Sequence, residues 1–229
     1  MNKSISESFG ESIVKNTMDV SLDTSEVILD SFMKEGILKK LPIIKYAVSA
    51  YNIVDDIKGR FFLNKLKSFI ASFNSGNVTE KDVEKQKKKF FDKNRDNELA
   101  YITIIIDNYL DIEKPELLAK MYLAYLDYLI NWDEFCAYSE IINNLLRMDI
   151  KFMLDNKTVT TKNNEITSEL LRLTGNGLMS GYQNDSPFES DGQGGISIYS
   201  DSFDRVISKE RVFSRTRFGE RFIRIINDY

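Results

Sequence analysis

Phe62, Leu63, Leu66, Phe69, Ile70 and Phe73 recur three and four positions apart, a spacing that lays one apolar stripe along a helix, with Lys65 and Lys67 on the opposite side. Asn74-Ser75-Gly76-Asn77 stops that helix, and Thr79 with Asp82 three residues on opens a second one carrying Lys85, Lys87, Lys88 and Lys89. Ahead of the stripe, Ile13 to Val20 and Val27 to Met33 read as short helices, the latter with Thr24 or Ser25 as N-cap. Gly36 and Pro42 then frame a nearly uncharged apolar run, Leu41 to Val54.

The apolar run Leu99 to Leu110 has a β-prone centre, Ile102 to Ile106, yet its place between helical stretches favours a buried helix over a strand. Pro115 in a first turn starts a helix with Leu118, Met121, Tyr122, Tyr125 and Leu129 on one side. Asn131-Trp132-Asp133-Glu134 turns into another, whose face is Phe135, Tyr138, Ile142, Leu145 and Phe152, giving a helical hairpin.

Beyond Asp155 the chain turns to Asn, Thr and Lys, and residues 155–165 read as a polar connector between domains. Ile166 to Leu173 forms a short helix ending at Gly175 and Gly177. Leu178 to Tyr182 and Arg211 to Arg215 then pair as strands around a Ser, Gly and Asp-rich loop. Thr216 caps a last helix whose Phe218, Phe222, Ile223 and Ile226 face inward. The pattern predicts a mainly α protein: a helical body, residues 1–154, the connector, and a small α+β domain, residues 166–229.

An apolar content of 42% in 229 residues is ample for a core, and only three prolines fits long helices. One cysteine, Cys136, excludes an internal disulfide, and the polar, acidic start carries no apolar leader, so the cytosol is the expected compartment. Lys39, Lys40 and Lys45 interrupt the run that ends at Val54, which falls short of the roughly 18 to 20 apolar residues of a membrane span.

Net charge is −4 but unevenly spread: residues 1–35 carry three lysines against seven acidic groups, and residues 36–74 carry seven basic groups against two aspartates. A second basic region closes the chain, with Arg205, Lys209, Arg211, Arg215, Arg217, Arg221 and Arg224 against Glu210, Glu220 and Asp228. Arg211, Arg215, Arg217, Arg221 and Arg224 are therefore the candidate phosphate contacts, which give affinity without sequence choice. Ile37, Leu41, Ile44, Val48 and Tyr51 mark the candidate partner surface, with core packing and a membrane surface flanked by Lys58, Arg60, Lys65 and Lys67 as the competing readings.

The chain has no histidine, which removes the commonest general base and transition-metal ligand. Cys136 lacks a base to activate it, and Cys/His zinc sites are impossible within one chain. Asp55 with Asp56, Asp107 with Asp111, and Glu113 with Glu116 are the candidate carboxylate pairs; Asp107 and Asp111, four apart on a helix, would share a face on which a hard cation could be gripped, against the simpler reading of solvated helix ends. Asp155 to Glu165 fails as a calcium loop at Lys157 and Val159, and Gly192 to Gly195 lacks the Lys-Ser or Lys-Thr of a phosphate cradle. No cofactor or metal is expected, and no catalytic residue.

Leu170 and Leu173, the step Gly177-Leu178, and Thr216 with Gly219 resemble the recurring ending of winged-helix domains: a helix, a Gly-Leu step, a hairpin wing and a closing Thr-x-x-Gly helix. The loop from Gln183 to Asp204 is longer than a usual wing. Lys58 to Leu66, Glu116 to Tyr122 and Asp133 to Phe135, with Asp149, Leu154 and the Thr216 to Phe222 helix, are similar to a loose group of uncharacterised helical proteins of bacteria and phages. That resemblance implies a bacterial or phage source and a possible part in phage defence, with no activity to carry over. The expected function is a non-enzymatic interaction protein that docks a partner or its own copy. A nucleic-acid-binding regulator and a membrane-acting effector are the alternatives.

Overall fold

The computed structural model describes residues 57–75, 96–161, 166–184 and 210–229. The two N-terminal helices, the run from Leu41 to Val54, the Lys85 to Lys89 helix and the Gly192 to Gly195 loop lie outside them. The described residues form seven helices, α1 (Ile57–Ser75), α2 (Asp96–Asn108), α3 (Lys114–Leu126), α4 (Trp132–Asn144), α5 (Arg147–Asp155), α6 (Ser168–Gly175) and α7 (Arg217–Asp228). Three strands, β1 (Thr158–Thr161), β2 (Met179–Asn184) and β3 (Glu210–Arg215), complete them. The protein is thus mostly helical, with one small antiparallel sheet. It divides into two compact units, Met1–Asn144 with Ile225–Tyr229, and Leu145–Arg224.

In the first unit all six residues of the α1 stripe are buried, as their spacing predicts. α3 is the centre: Leu118, Ala119, Met121, Tyr122, Leu123 and Ala124 are all inaccessible to solvent, and α1 and α4 both pack on it. The alanines on such a helix allow close approach, while the Tyr122 ring packs tilted against those of Phe69, Phe73, Tyr125 and Phe135, with centroids 5.6–6.4 Å apart. Leu99 to Asn108 is helical, so burial outweighs the β preference of its isoleucines. α4 opens with a reciprocal cap in which the Glu134 N–H donates to Asn131 Oδ1 at 2.8 Å and the Asn131 N–H to Glu134 Oε2 at 3.1 Å.

Three expectations change in this unit. Lys65 is not on a solvated face: it is 3% exposed, and its Nζ donates to the Asp107 and Tyr109 carbonyls, 2.5 and 2.8 Å away, at the end of α2. A cation there satisfies carbonyls that have no partner within the helix and complements its dipole. Lys114 does the same for α4 through Asn143 O (2.7 Å), and Lys120 for α7 through Ile226 O (2.6 Å). Leu129 is not part of α3, which ends at Leu126 in a Schellman turn with Leu129 N–H on Ala124 O and Tyr128 N–H on Tyr125 O. Tyr128 holds the left-handed position of that turn at φ 59°. The helix starting at Trp132 also stops at Asn144, so Leu145 and Phe152 do not extend its face.

The second unit starts at that break, ahead of the polar stretch 155–165. Leu146 takes an extended conformation, and its N–H is accepted by Asp149 Oδ2 at 2.8 Å, which restarts the helix as α5. The stretch is no mere connector, because Thr158–Thr161 forms β1 and pairs antiparallel with β3, Val159 opposite Phe213. β2 pairs on the other side of β3, Gly181 opposite Phe213, giving the order β1-β3-β2. α6 is capped by Thr167 and closes in a Schellman turn with Gly177 at φ 72°. The first turn of α7 lies flush on that turn. Thr216 donates from its N–H to Leu178 O (3.0 Å) and from Oγ1 to Gly177 O (2.7 Å), and accepts the Gly219 N–H (3.0 Å). The residues quoted for the closing motif, Gly177, Leu178, Thr216 and Gly219, therefore meet in one place.

Candidate docking and anion-facing surfaces

The second unit is organised by two basic side chains turned inward. Arg172 of α6 forms a bidentate pair with Asp149 of α5, Nε to Oδ2 at 2.8 Å and Nη2 to Oδ1 at 2.7 Å. Asp149 is fully buried, and it also caps the α5 N-terminus, so both its oxygens are engaged. Arg215 lies over the other end of α5. Its Nη2 donates to Met153 O (2.5 Å) and Leu154 O (3.3 Å), and its Nε to Asn156 O (3.3 Å). Glu220 sits 3.7 Å from Arg215 Nη1 and 3.9 Å from Lys157 Nζ.

Arg215, a candidate phosphate contact by sequence, is thus committed to closing a helix. Its side chain is only 10% exposed. The reason is positional: β3 points residue 215 at the α5 carbonyls, whose partners are missing by the geometry of a helix end. Arg211 is half-buried on β3, opposite Thr161 and Gln183. Arg217, Arg221 and Arg224 lie on α7 at spacings of four and three, hence on one face. Arg217 and Arg224 are exposed and Arg221 is half-buried.

The unit also exposes large apolar side chains, alongside polar ones such as Arg147, Lys151 and Lys157. Leu146 and Met148 at the start of α5, Leu171 on α6 and Tyr182 on β2 are each about half exposed, from 49% to 57%. The helix that precedes the hairpin therefore presents Ser168, Glu169 and Leu171 to solvent, while its arginine is paired with Asp149. Ile37, Leu41, Ile44, Val48 and Tyr51, read from sequence as the partner surface, lie outside the described residues, as do Asp55 and Asp56. No described helix is long and apolar enough to cross a membrane.

Candidate chemistry in the first unit resolves into packing. Tyr101 Oη and Ser139 Oγ are 3.0 Å apart, Ser139 Oγ donates to Cys136 O at 2.7 Å, and Tyr109 donates to Ser139 O at 3.1 Å. Burial pushes the Cys136 thiol and the Tyr109 phenol up, the reverse of activation. Asp107 and Asp111 do not share a helix face, because α2 ends at Asn108 and Asp111 Oδ1 instead accepts the Glu113 N–H at 2.9 Å. Glu116 accepts from Ser68 (3.1 Å) and packs α3 on α1. Among the described residues no group of three Cys, Asp or Glu side chains is placed to hold a metal ion. Lys67 is half-buried on α1, and desolvation lowers its pKa to about 8.

Sequence reasoning missed β1, although Thr158-Val159-Thr160-Thr161 is a β-branched run of the kind strands favour. It also missed the exposed apolar residues of α5 and α6, which no periodicity separates from core positions. No protein-family model, curated protein or solved structure matches the chain, so the resemblances drawn from its sequence rest on the residues that carry them.

Proposed function

We propose that the chain is a non-enzymatic docking protein whose second unit carries the surface for a partner chain. The observation that carries this reading is the exposure of Leu146, Met148 and Leu171 on two short helices tied together by the Asp149–Arg172 pair. Large apolar side chains held on rigid elements suit a protein interface, whose energetic centre is desolvated side chains. The pairing of Arg172, the one basic side chain of α6, with Asp149 speaks against base reading by that helix, since a reading helix needs unpaired polar or cationic side chains.

The strand order β1-β3-β2, with α6 between β1 and β2 and the Thr216/Gly219 closure, supports a winged-helix-like description of residues 145–224. That shape serves both nucleic-acid and protein binding, so the surface decides. A place in phage defence, implied by the bacterial and phage resemblance, belongs to the same proposal.

The test is light scattering of the full chain alone, and affinity capture from its host, for wild type against Met148→Asp/Leu171→Asp. Both positions are exposed, so the fold persists, checked by an unchanged circular dichroism spectrum. The reading expects an oligomer or a captured protein that the double variant loses; a wild-type monomer that captures nothing, or a variant that captures the same chain equally, overturns it.

A further inference from the structure

We infer that Thr161 and Arg211 form a binding site for a carboxylate, on the face of the sheet that buries Phe213 and apart from the docking surface. Thr161 of β1 stands directly opposite Arg211 of β3. Residues so paired share a face of the sheet, with Cβ atoms about 4.5–5.5 Å apart. Thr161 is only 8% exposed, and its Oγ1 is buried with no hydrogen-bond partner. A buried hydroxyl in that condition is costly and calls for a group that accepts its proton.

Arg211 supplies the charge. Along β3, Arg211, Phe213 and Arg215 alternate onto this one face; Phe213 is buried and Arg215 is committed to the α5 carbonyls. Arg211 is half-buried and, among the described residues, has neither hydrogen bond nor ion pair. The described acidic groups of the unit lie elsewhere. Asp149 is held by Arg172, Glu220 is turned to Arg215 and Lys157, Asp155 ends α5, and Glu169 is in the first turn of α6. Glu210 adjoins Arg211 in the chain, so strand alternation puts it on the opposite face.

One guanidinium and one hydroxyl match one carboxylate. The guanidinium fork donates to both oxygens, and the Thr161 hydroxyl donates its proton to one of them. A phosphate dianion would bring a second negative charge with no cation to meet it, which desolvation in a half-buried place disfavours. Oγ1 is sealed from solvent, so the carboxylate enters as the unheld Arg211 side chain swings aside and then closes over it. A free carboxylate and a glutamate side chain on another protein present the same group, and different probes separate them.

NMR titration of the full chain with sodium acetate, against sodium chloride at matched ionic strength, reads the Arg211 Nε–H and the Thr161 amide. Saturable shifts with acetate alone are expected. Thr161→Val keeps the side-chain volume and removes the hydroxyl; it should weaken acetate binding about tenfold, the worth of one hydrogen bond to a charged group. Its melting temperature should stay or rise, because an unsatisfied polar atom has gone. Arg211→Met should abolish the shifts. Tighter binding of a blocked glutamate peptide than of acetate assigns the site to an acidic side chain of a partner, and equal binding assigns it to a free carboxylate. Absence of saturable acetate shifts, binding of phosphate as tight as that of acetate, or an unchanged acetate affinity in Thr161→Val overturns the proposal. So does a lowered melting temperature in that variant, which would give the hydroxyl a structural role such as holding a water.

Discussion

A methyl group at Gly219 would sit 2.0 Å from the Leu178 carbonyl oxygen and 2.8 Å from Met153 Cε. The methionine tip can swing aside; a carbonyl fixed in the turn after α6 cannot. Restoring a carbon–oxygen contact would move the first turn of α7 away by more than an ångström. That movement breaks the Thr216 N–H bond to Leu178 O (3.0 Å) and the Thr216 hydroxyl bond to Gly177 O (2.7 Å). Overpacking costs about 1–3 kcal/mol and each lost hydrogen bond about 0.5–1.5 kcal/mol. Gly219→Ala is therefore expected to destabilise the second unit by about 3 kcal/mol or more, over 100-fold in its folding equilibrium. Gly175→Ala is the matched control, since nothing lies within 4 Å of a Cβ there and the backbone is ordinary; it should be neutral or slightly stabilising. Hydrogen exchange at the β3 and α7 amides reads the second unit, and the lone Trp132 reads the first by fluorescence during urea unfolding. If Gly219→Ala protects the β3 amides as well as Gly175→Ala does, the packing argument fails.

Replacing Arg172 by methionine leaves Asp149 buried with only its α5-capping bond, so the second unit should unfold at lower urea, by less than the loss of a fully buried pair because the arginine side chain is 31% exposed. Urea midpoints measure it, and a double-mutant cycle with Asp149→Asn should show coupling. Tyr128→Gly relieves the left-handed strain at φ 59° and should stabilise the first unit by about 0.5–1 kcal/mol; a drop in melting temperature would count against that assignment. For pH, Lys67 has a folded pKa of about 8, below its ordinary 10.5, so the unfolded chain binds the extra proton between those values and stability rises with pH across them. The raised Tyr101, Tyr109 and Cys136 act oppositely, losing stability as pH climbs past their ordinary values of 9.0 to 10.0. Lys67→Met should flatten the initial rise in chemical-denaturation profiles taken from pH 7.5 to 9; an unchanged profile would reject the lysine's role.

Much of the fold could be read locally. The α1 stripe, the Pro115 start, the β2–β3 pairing and the Thr216 cap depend on periodicity or on residues a few positions apart, and the structure has them where the pattern puts them. What escaped depends on distant partners. Lys65 looks solvated until α2 brings its end carbonyls 42 and 44 positions away, and Arg215 looks like a surface cation until α5 lies beneath it. β1 is a strand only because β3 arrives some 50 residues later. The break before α5 is written in Asp149 but is indistinguishable in sequence from an ordinary helical aspartate. Of the candidate surface, the arginine row on α7 was legible and the apolar residues of α5 and α6 were not, since burial is a property of the whole unit.

The habit of closing helices with cations from elsewhere in the chain sets an order for biogenesis. As the polypeptide leaves the ribosome, α4 can be sealed almost at once, for Lys114 precedes Asn143 by 29 residues, and α2 likewise by Lys65. The end of α5 must wait 62 residues for Arg215, and the bond from Lys120 to Ile226 spans 106. A translational pause before β3 would leave the end of α5 without the arginine that closes it, its carbonyls turned to water until Arg215 arrives.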